Sequence, residues 1–191
     1  MNAKPERHQI EACATEVLRG AQALEVPVDL SKVAQFLDVT VHYDNLEDKV
    51  SGVLVIKDAE RHAIVNAGHH TNRQRFSLAH EFGHLKLHHR DDSGDRLFVD
   101  TSMRVYQRVG SPTDDAYSQP DSQTTPREER EANQFASALL MPEHLIRREA
   151  QNLDLGEESD VAYLARLFGV SDQAMAIRLQ QLHVVNLVLD Q

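Results

Sequence analysis

The segment that most constrains this chain is His80-Glu-Phe-Gly-His84, which lies in a stretch, residues 73–89, whose pattern predicts one helix. Residues four apart lie on the same face of a helix, so the two histidines are expected to point the same way, one turn apart. Apolar residues fill most other positions between Phe76 and Leu87, as is typical of a helix buried on most sides. Buried imidazoles and a buried carboxylate are costly without a ligand or partner, so this pattern favours a site over a solvated surface.

Metal binding would satisfy these side chains. The H-E-x-x-H spacing lets two imidazoles bind one Zn²⁺ while Glu81 stands beside the open coordination position as a general base. A catalytic zinc site needs a third protein ligand and leaves a fourth position for water. Zn²⁺ is the expected ion, although two histidines and a glutamate also accept Mn²⁺ or Co²⁺. The expected chemistry is hydrolysis of a peptide bond, in which the metal polarises the carbonyl and Glu81 transfers the water proton to the leaving amine.

The third ligand is expected from a helix predicted over Arg127 to Leu140, which begins with Glu128, Glu129 and Glu131. We favour Glu129, because Asn133 follows four residues later on the same face and an amide there can orient a liganding imidazole. Glu131 is the alternative, and it lies about 200° around the helix. Acidic residues in a first turn also complement the helix dipole, so at least one of the three glutamates is expected to do only that.

Two further parts of a hydrolytic site are less well defined by the sequence. A group that stabilises the developing oxyanion should lie near the metal. The candidates are Arg104, Tyr106, Tyr117 and Tyr163, and nothing in the sequence selects among them. The strand predicted over residues 52–56 is a candidate for an exposed sheet edge that binds an extended substrate by strand addition.

The size and charge of the chain limit its class. A chain of 191 residues suffices for one well-buried domain with a small appendage, and its net charge of −10 argues against a surface that coats nucleic acid. No apolar run is long enough to span a membrane, and the N-terminus lacks the apolar core of a secretory signal. The single cysteine, Cys13, cannot form an internal disulfide, which favours a reducing cytoplasm. We therefore expect a cytoplasmic protein, with its oligomeric state left open.

The predicted elements make an α+β protein that is mainly helical, with its helices packed on a short three- to four-stranded antiparallel sheet. Residues 110–127 are rich in Pro, Ser, Thr, Asp and Gln and are predicted to be a long mobile surface loop, and residues 103–109 are ambiguous. We expect a catalytic domain over residues 1–150 and a helical C-terminal subdomain over 151–191 packed on it. The predicted helices cover residues 6–24, 29–37, 73–89, 127–140, 142–150 and two segments within 159–183. The predicted strands cover residues 39–43, 52–56, 62–66 and 97–99. Of these strands, 52–56 and 62–66 are expected to form an antiparallel hairpin.

Two blocks of sequence resemble the ImmA/IrrE-type metallopeptidases. They are Arg75-Phe-Ser-Leu-Ala-His-Glu-Phe-Gly-His-Leu85 and Glu129-Arg-Glu-Ala-Asn-Gln-Phe-Ala-Ser-Ala-Leu-Leu-Met-Pro142, and a weaker resemblance extends over residues 5–183. The resemblance implies a gluzincin-like core with His80, His84 and Glu129 as metal ligands and Glu81 as the catalytic residue. It also implies a protein substrate of the repressor type, a helix-turn-helix DNA-binding protein whose cleavage controls mobile-element, phage or stress-response genes. The segment 103–127 is longer than the family pattern, which leaves open the accessibility of the site and the substrate that fits it.

The main alternative is a non-catalytic regulator or antitoxin-like protein that acts by binding DNA or protein, and an inactive metal-bound scaffold is a third. Residues 161–179 resemble a helix-turn-helix with a glycine in its turn. A helix that reads DNA should present basic or amide side chains to the groove, and Asp172, Gln173 and Arg178 supply little basic character. Direct DNA binding therefore has less support than helical packing or partner docking.

Overall fold

The computed structural model describes residues 7–88, 96–100 and 124–184. Within these ranges the chain forms seven helices and a four-stranded sheet, which confirms the predicted α+β class. In chain order the elements are α1 (Arg7–Gly20), α2 (Leu30–Phe36), β1 (Thr40–Asp44), β2 (Gly52–Lys57), β3 (Glu60–Asn66), α3 (Thr71–His88), β4 (Arg96–Asp100), α4 (Pro126–Leu140), α5 (Glu143–Glu149), α6 (Glu158–Phe168) and α7 (Asp172–Gln181).

The sheet is mixed, so the prediction of a purely antiparallel sheet is wrong for one strand. The strand order is β1-β3-β2-β4, with β2 antiparallel to β3 and β4 and with β1 parallel to β3. Asp58 and Ala59 both have positive φ, at 52° and 67°, the backbone of a tight hairpin turn that returns β3 along β2. The chain also reverses direction between β1 and β2. After two reversals β3 runs in the same direction as β1, and the two strands pair in parallel.

The same strand order excludes β2 as a substrate-binding edge. β2 pairs with β3 on one side and with β4 on the other, from Gly52 to Ile56 in each case. Its backbone hydrogen-bonding groups are therefore used within the sheet, and the prediction that residues 52–56 form an exposed edge is wrong.

Helix α3 lies between the sheet and α4, in contact with both. Every residue from Ser77 to Leu85 is buried, as predicted for a helix covered on most sides. Gly83 permits the approach of α4, because a Cβ atom at this position would lie 2.9 Å from the Cα of Ala132. The sheet also packs against α3, and its buried apolar residues are Leu54, Ile56, Ala63, Val65 and Phe98.

The C-terminal helices pack on this core. Gly169 ends α6 in the left-handed region, with φ 66°, and turns the chain into α7. The first turns of α3 bind this corner: the Asn72 side chain donates a hydrogen bond to the carbonyl of Val170 (2.9 Å), and Arg75 donates to the carbonyl of Gly169 (3.2 Å). Leu164, Phe168 and other apolar residues of α6 and α7 join the same hydrophobic core as the rest of the protein. The boundary at residue 150 stays a prediction.

Of the predicted loop over residues 110–127, the structure describes residues 124–127. Thr125 caps α4 and Pro126 is its first residue, so the last two residues of the predicted loop are helical. Residues 110–123 and the ambiguous segment 103–109 lie outside the described residues. None of the helices in the described ranges is both long and apolar enough to cross a membrane.

Candidate metal centre

The middle of α3 presents two buried imidazoles to one another. His80 and His84 are each 1 % exposed, and their Nε2 atoms are 2.9 Å apart. The two residues are one helical turn apart, which is why their rings lie on the same face. The α3 helix therefore supplies two nitrogen donors at one point, as the spacing predicts.

Helix α4 brings a carboxylate to the same point. The Glu129 Oε2 atom lies 3.3 Å from His80 Nε2, and Oε1 lies 3.3 Å from His84 Nε2. Among the described residues, this is the cluster of three potential ligand side chains whose donor atoms all lie within 4.8 Å of one another. Glu129 is in the first turn of α4, where a capping box between Thr125 and Glu128 fixes the start of the helix.

Neighbouring side chains fix the two imidazoles. The Nδ1 of His80 lies 3.0 Å from the Oδ1 of Asn133, to which it donates, so that Nε2 keeps its lone pair. The ring of Phe98 in β4 stacks on His84, with ring centres 5.0 Å apart and planes at 23°. Asn133 therefore lies within hydrogen-bond distance of His80, and its role in orienting a metal ligand stays a prediction. The contact of Phe98 with His84 was not predicted.

The electrostatics favour the protonation states that bind a metal. Burial lowers the pKa of His84 to about 4, against the opposing effect of Glu129. Burial alone would raise the pKa of Glu129, but the adjacent His80 and His84 outweigh burial and hold that pKa below its ordinary range. At neutral pH His84 is therefore a neutral imidazole and Glu129 an ionised carboxylate, which are the ligand forms that metal binding requires.

The geometry of these groups fits a zinc ion. Zn–N and Zn–O bonds are about 2 Å long, so two ligand atoms on one ion lie roughly 3 Å apart. The separations among His80, His84 and Glu129 are 2.9 and 3.3 Å. A cation between them would also relieve the approach of lone pairs on two nitrogens and a carboxylate.

Glu131, the alternative ligand, lies outside this cluster. Its carboxylate accepts a hydrogen bond from Arg127 Nε at 2.7 Å and is 3.9 Å from the Nδ1 of His88. His88 in turn donates from Nε2 to the carbonyl of Glu128 (3.1 Å), and burial lowers its pKa. These contacts tie the end of α3 to the start of α4, and they place neither His88 nor Glu131 at the point where the three donors meet.

Glu81, the predicted general base, is completely buried beside His80. Its carboxylate lies against the first residue of β2: a Cβ atom on Gly52 would be 2.7 Å from Glu81 Oε1. Sequence reasoning missed this contact. The available signal was a glycine at the start of an otherwise β-branched and aliphatic strand, a position where close approach by another group is common.

The described residues do not identify which of the four candidates stabilises the oxyanion. Tyr163 lies in α6 with 48 % of its surface exposed. Arg104, Tyr106 and Tyr117 lie outside the described residues. The choice among the four stays open.

Comparison with known proteins gives the family. The family model for the peptidase M78 family, described as the IrrE N-terminal-like domain, matches residues 34–180. The match runs from α2 to α7 and includes both histidines and Glu129. No curated protein matches the chain. Because the matched residues make up most of its length, the chain belongs to the peptidase M78 family, with an IrrE N-terminal-like domain.

Proposed function

We propose that this protein is a zinc-dependent endopeptidase. The observation that carries the proposal is the meeting of His80, His84 and Glu129 at one point, next to a buried Glu81, in a member of a peptidase family. In this proposal the first three residues hold the metal and Asn133 orients His80. Mn²⁺ or Co²⁺ could replace Zn²⁺ with the same ligands.

The proposed chemistry assigns the proton transfers to Glu81. Bound zinc would supply a Lewis acid that polarises the scissile carbonyl. Glu81 takes a proton from the attacking water and delivers it to the nitrogen of the leaving amine. Its burial keeps bulk water from competing for that proton, and electrostatic interactions are stronger in such a place.

The proposed substrate is a helix-turn-helix repressor in the cytoplasm, whose cleavage would release stress-response or mobile-element genes. This part of the proposal rests on the resemblance of the sequence to ImmA/IrrE-type peptidases. The negative charge of the chain fits it, since a net charge of −10 suits a protein that binds a basic DNA-binding partner better than DNA itself.

A second candidate is a regulator that binds DNA or protein without cleaving it. The order of α6, a left-handed Gly169 and α7 favours it, because this is the backbone of a helix-turn-helix. The side chains oppose the DNA-binding form: Arg178 is 1 % exposed and its guanidinium binds the Glu11 carboxylate. Asp172 and Gln173 remain exposed at the start of α7, and neither supplies positive charge.

Metal content tests the proposed site directly. We expect about one zinc per chain in the wild-type protein and in Glu131→Gln, and loss of zinc in Glu129→Gln. The two variants are matched, because each removes one carboxylate charge from the first turns of α4. A wild-type protein that takes up no zinc when zinc is supplied would overturn the proposed metal site, as would loss of zinc in Glu131→Gln alone.

Catalysis is tested with Glu81→Gln, which keeps the size of the side chain and removes its basicity. The variant should keep its zinc and lose cleavage of any helix-turn-helix repressor that the wild-type protein cleaves. If the regulatory effect of the protein on its target genes survives in Glu81→Gln, the protein acts as a scaffold. Steeply salt-dependent affinity for duplex DNA, together with intact repressor, would support the DNA-binding regulator instead.

A further inference from the structure

We infer that Gly52 is a positioning residue that holds the Glu81 carboxylate in its working place. This inference rests on the proposed function, in which Glu81 is the base. The contact is close: a Cβ atom on residue 52 would lie 2.7 Å from Glu81 Oε1 and 3.5 Å from its Cδ and Cγ atoms. The space that a side chain would fill is therefore the space that the carboxylate occupies.

The backbone of Gly52 does not itself require glycine. Gly52 pairs with Val65 of β3 and Asp100 of β4 in regular antiparallel register. Among the described glycines, Gly169 is the one with a φ in the left-handed region, so residue 52 has a conformation that alanine can also adopt. The need for glycine at this position comes from its neighbour.

The alternation of β2 explains why position 52 faces α3. Leu54 and Ile56 point inward and are buried, whereas Val53 and Val55 are partly exposed. Gly52 continues the inward row, two residues before Leu54. Any side chain at this position would point at α3, where Glu81 lies.

Hydrogen bonds hold β2 and α3 together near this contact, so neither element can easily move away from the other. Arg73 in α3 donates from Nη2 to the Ser51 hydroxyl at 2.8 Å. The backbone N–H of Asn66 donates a hydrogen bond to the carbonyl of Ser51 (3.1 Å), and the Asn66 side-chain amide donates one to the carbonyl of Val50 (2.8 Å). The start of β2 is thus bound both to β3 and to the helix that carries Glu81.

The atom closest to the added methyl group is the end of a side chain, so the carboxylate should move and the backbone should stay. Gly52→Ala would then rotate Glu81 away from its place and leave the three metal ligands untouched. Misplacing a catalytic group by about 1 Å costs on the order of 100-fold in rate. We expect kcat of Gly52→Ala to fall by about that factor, with zinc content and KM unchanged.

A kinetic double-mutant cycle tests whether Gly52 acts through Glu81. Gly52→Ala should lower kcat in the wild-type background and cause no further loss in the residual activity of Glu81→Gln. Gly156→Ala is the control, because its Cβ would also lie near a carboxylate oxygen, 3.1 Å from Asp154 Oδ1, but in an exposed turn. Full kcat in Gly52→Ala, or loss of its zinc, would overturn the inference.

A thermal-denaturation cycle tests the contact without any substrate. Gly52→Ala should lower Tm in the wild-type protein and lower it less in Glu81→Ala, where the carboxylate is gone. Equal loss of Tm in both backgrounds would overturn the inference, because the added methyl group would then be clashing with something else. If the wild-type protein cleaves nothing, the proposed function fails, and this cycle still decides whether Gly52 makes room for Glu81.

Discussion

The position of one proton decides whether His80 can bind a metal through Nε2. A neutral imidazole carries its hydrogen on one nitrogen and offers a lone pair on the other. The Oδ1 of Asn133 lies 3.0 Å from His80 Nδ1, so a proton on Nδ1 is hydrogen-bonded and Nε2 faces His84 and Glu129 as an acceptor. Asn133 is thus placed to select the form of His80 that the site needs.

Removing this hydrogen bond should weaken metal binding without removing a ligand. We expect Asn133→Ala to lower zinc affinity about 10- to 100-fold, and Asn133→Asp, which keeps an acceptor, to retain most of it. Zinc affinity can be measured by competition with a chromophoric chelator. Gln134→Ala is the control, because this neighbouring amide is exposed on α4. Equal affinities in Asn133→Ala and Gln134→Ala would mean that the hydrogen bond does not orient His80.

The sequence predicts those site residues whose geometry is set within one helix. His80, Glu81 and His84 follow from spacing alone, and Asn133 helps to favour Glu129 because the two are one turn apart on α4. The role of Gly52 could not be predicted in this way, because it depends on a contact between β2 and Glu81 of α3, 29 residues later in the chain. The contact of Phe98 with His84 depends likewise on how β4 joins the sheet.

At the scale of elements, the candidate metal centre depends on the distance between two helices. α3 carries both histidines and α4 carries Glu129, so the site exists only while the helices are close. Gly83 makes that approach possible: its added Cβ would lie 2.9 Å from the Cα and 3.0 Å from the carbonyl oxygen of Ala132. Backbone atoms of α4 cannot rotate out of the way, so α4 itself would have to move.

Gly83→Ala should therefore weaken both the fold and the metal site. Alanine favours a helix over glycine by about 1 kcal/mol, but overpacking of this kind typically costs about 1–3 kcal/mol, so we expect a net loss of stability of up to about 2 kcal/mol. Zinc affinity should fall, because Glu129 moves with α4. Thermal denaturation of the metal-free protein and zinc titration measure the two effects.

Gly20→Ala gives the matched control for this change. An added Cβ at Gly20 would also clash within a helix, α1, but with the ring of Phe36, a side chain that is 48 % exposed and can swing outward. This variant should keep its zinc affinity. Normal zinc binding in Gly83→Ala would contradict the view that this glycine sets the distance between α3 and α4.

Helices, strands and the hairpin that depend on local pattern were predicted, whereas the pairing of β1 with a strand distant in the sequence was not. The hairpin of β2 and β3 follows from two apolar runs around a short polar turn. The parallel pairing of β1 with β3 joins Thr40 to His62 and could not be inferred from either strand, because both read equally well as antiparallel.

At the scale of the whole molecule, one buried arginine joins distant parts of the chain. Arg178 in α7 donates from Nη2 to the Glu11 carboxylate of α1 at 2.8 Å and from Nε to the carbonyl of Met141, after α4, at 3.0 Å. Its side chain is 1 % exposed. The C-terminal helices are therefore held by polar contacts as well as by the shared hydrophobic core.

Replacing this arginine should destabilise the whole protein. Breaking a buried ion pair typically costs 3–5 kcal/mol, and Glu11 is partly exposed, so we expect Arg178→Met to lose about 3 kcal/mol of unfolding free energy. Arg166→Met, at an exposed position of α6, should lose little. Urea denaturation followed by circular dichroism compares the two.

The same pair of variants separates a role in packing from a role in reading DNA. If Arg178 serves only in packing, Arg178→Met should lose much of its stability and should not change the affinity of the folded protein for duplex DNA. If Arg178→Met keeps its stability and loses salt-dependent binding to DNA, the arginine faces the groove and does not bind Glu11. That result would favour the regulatory function over the peptidase, since α7 would then be free to read bases.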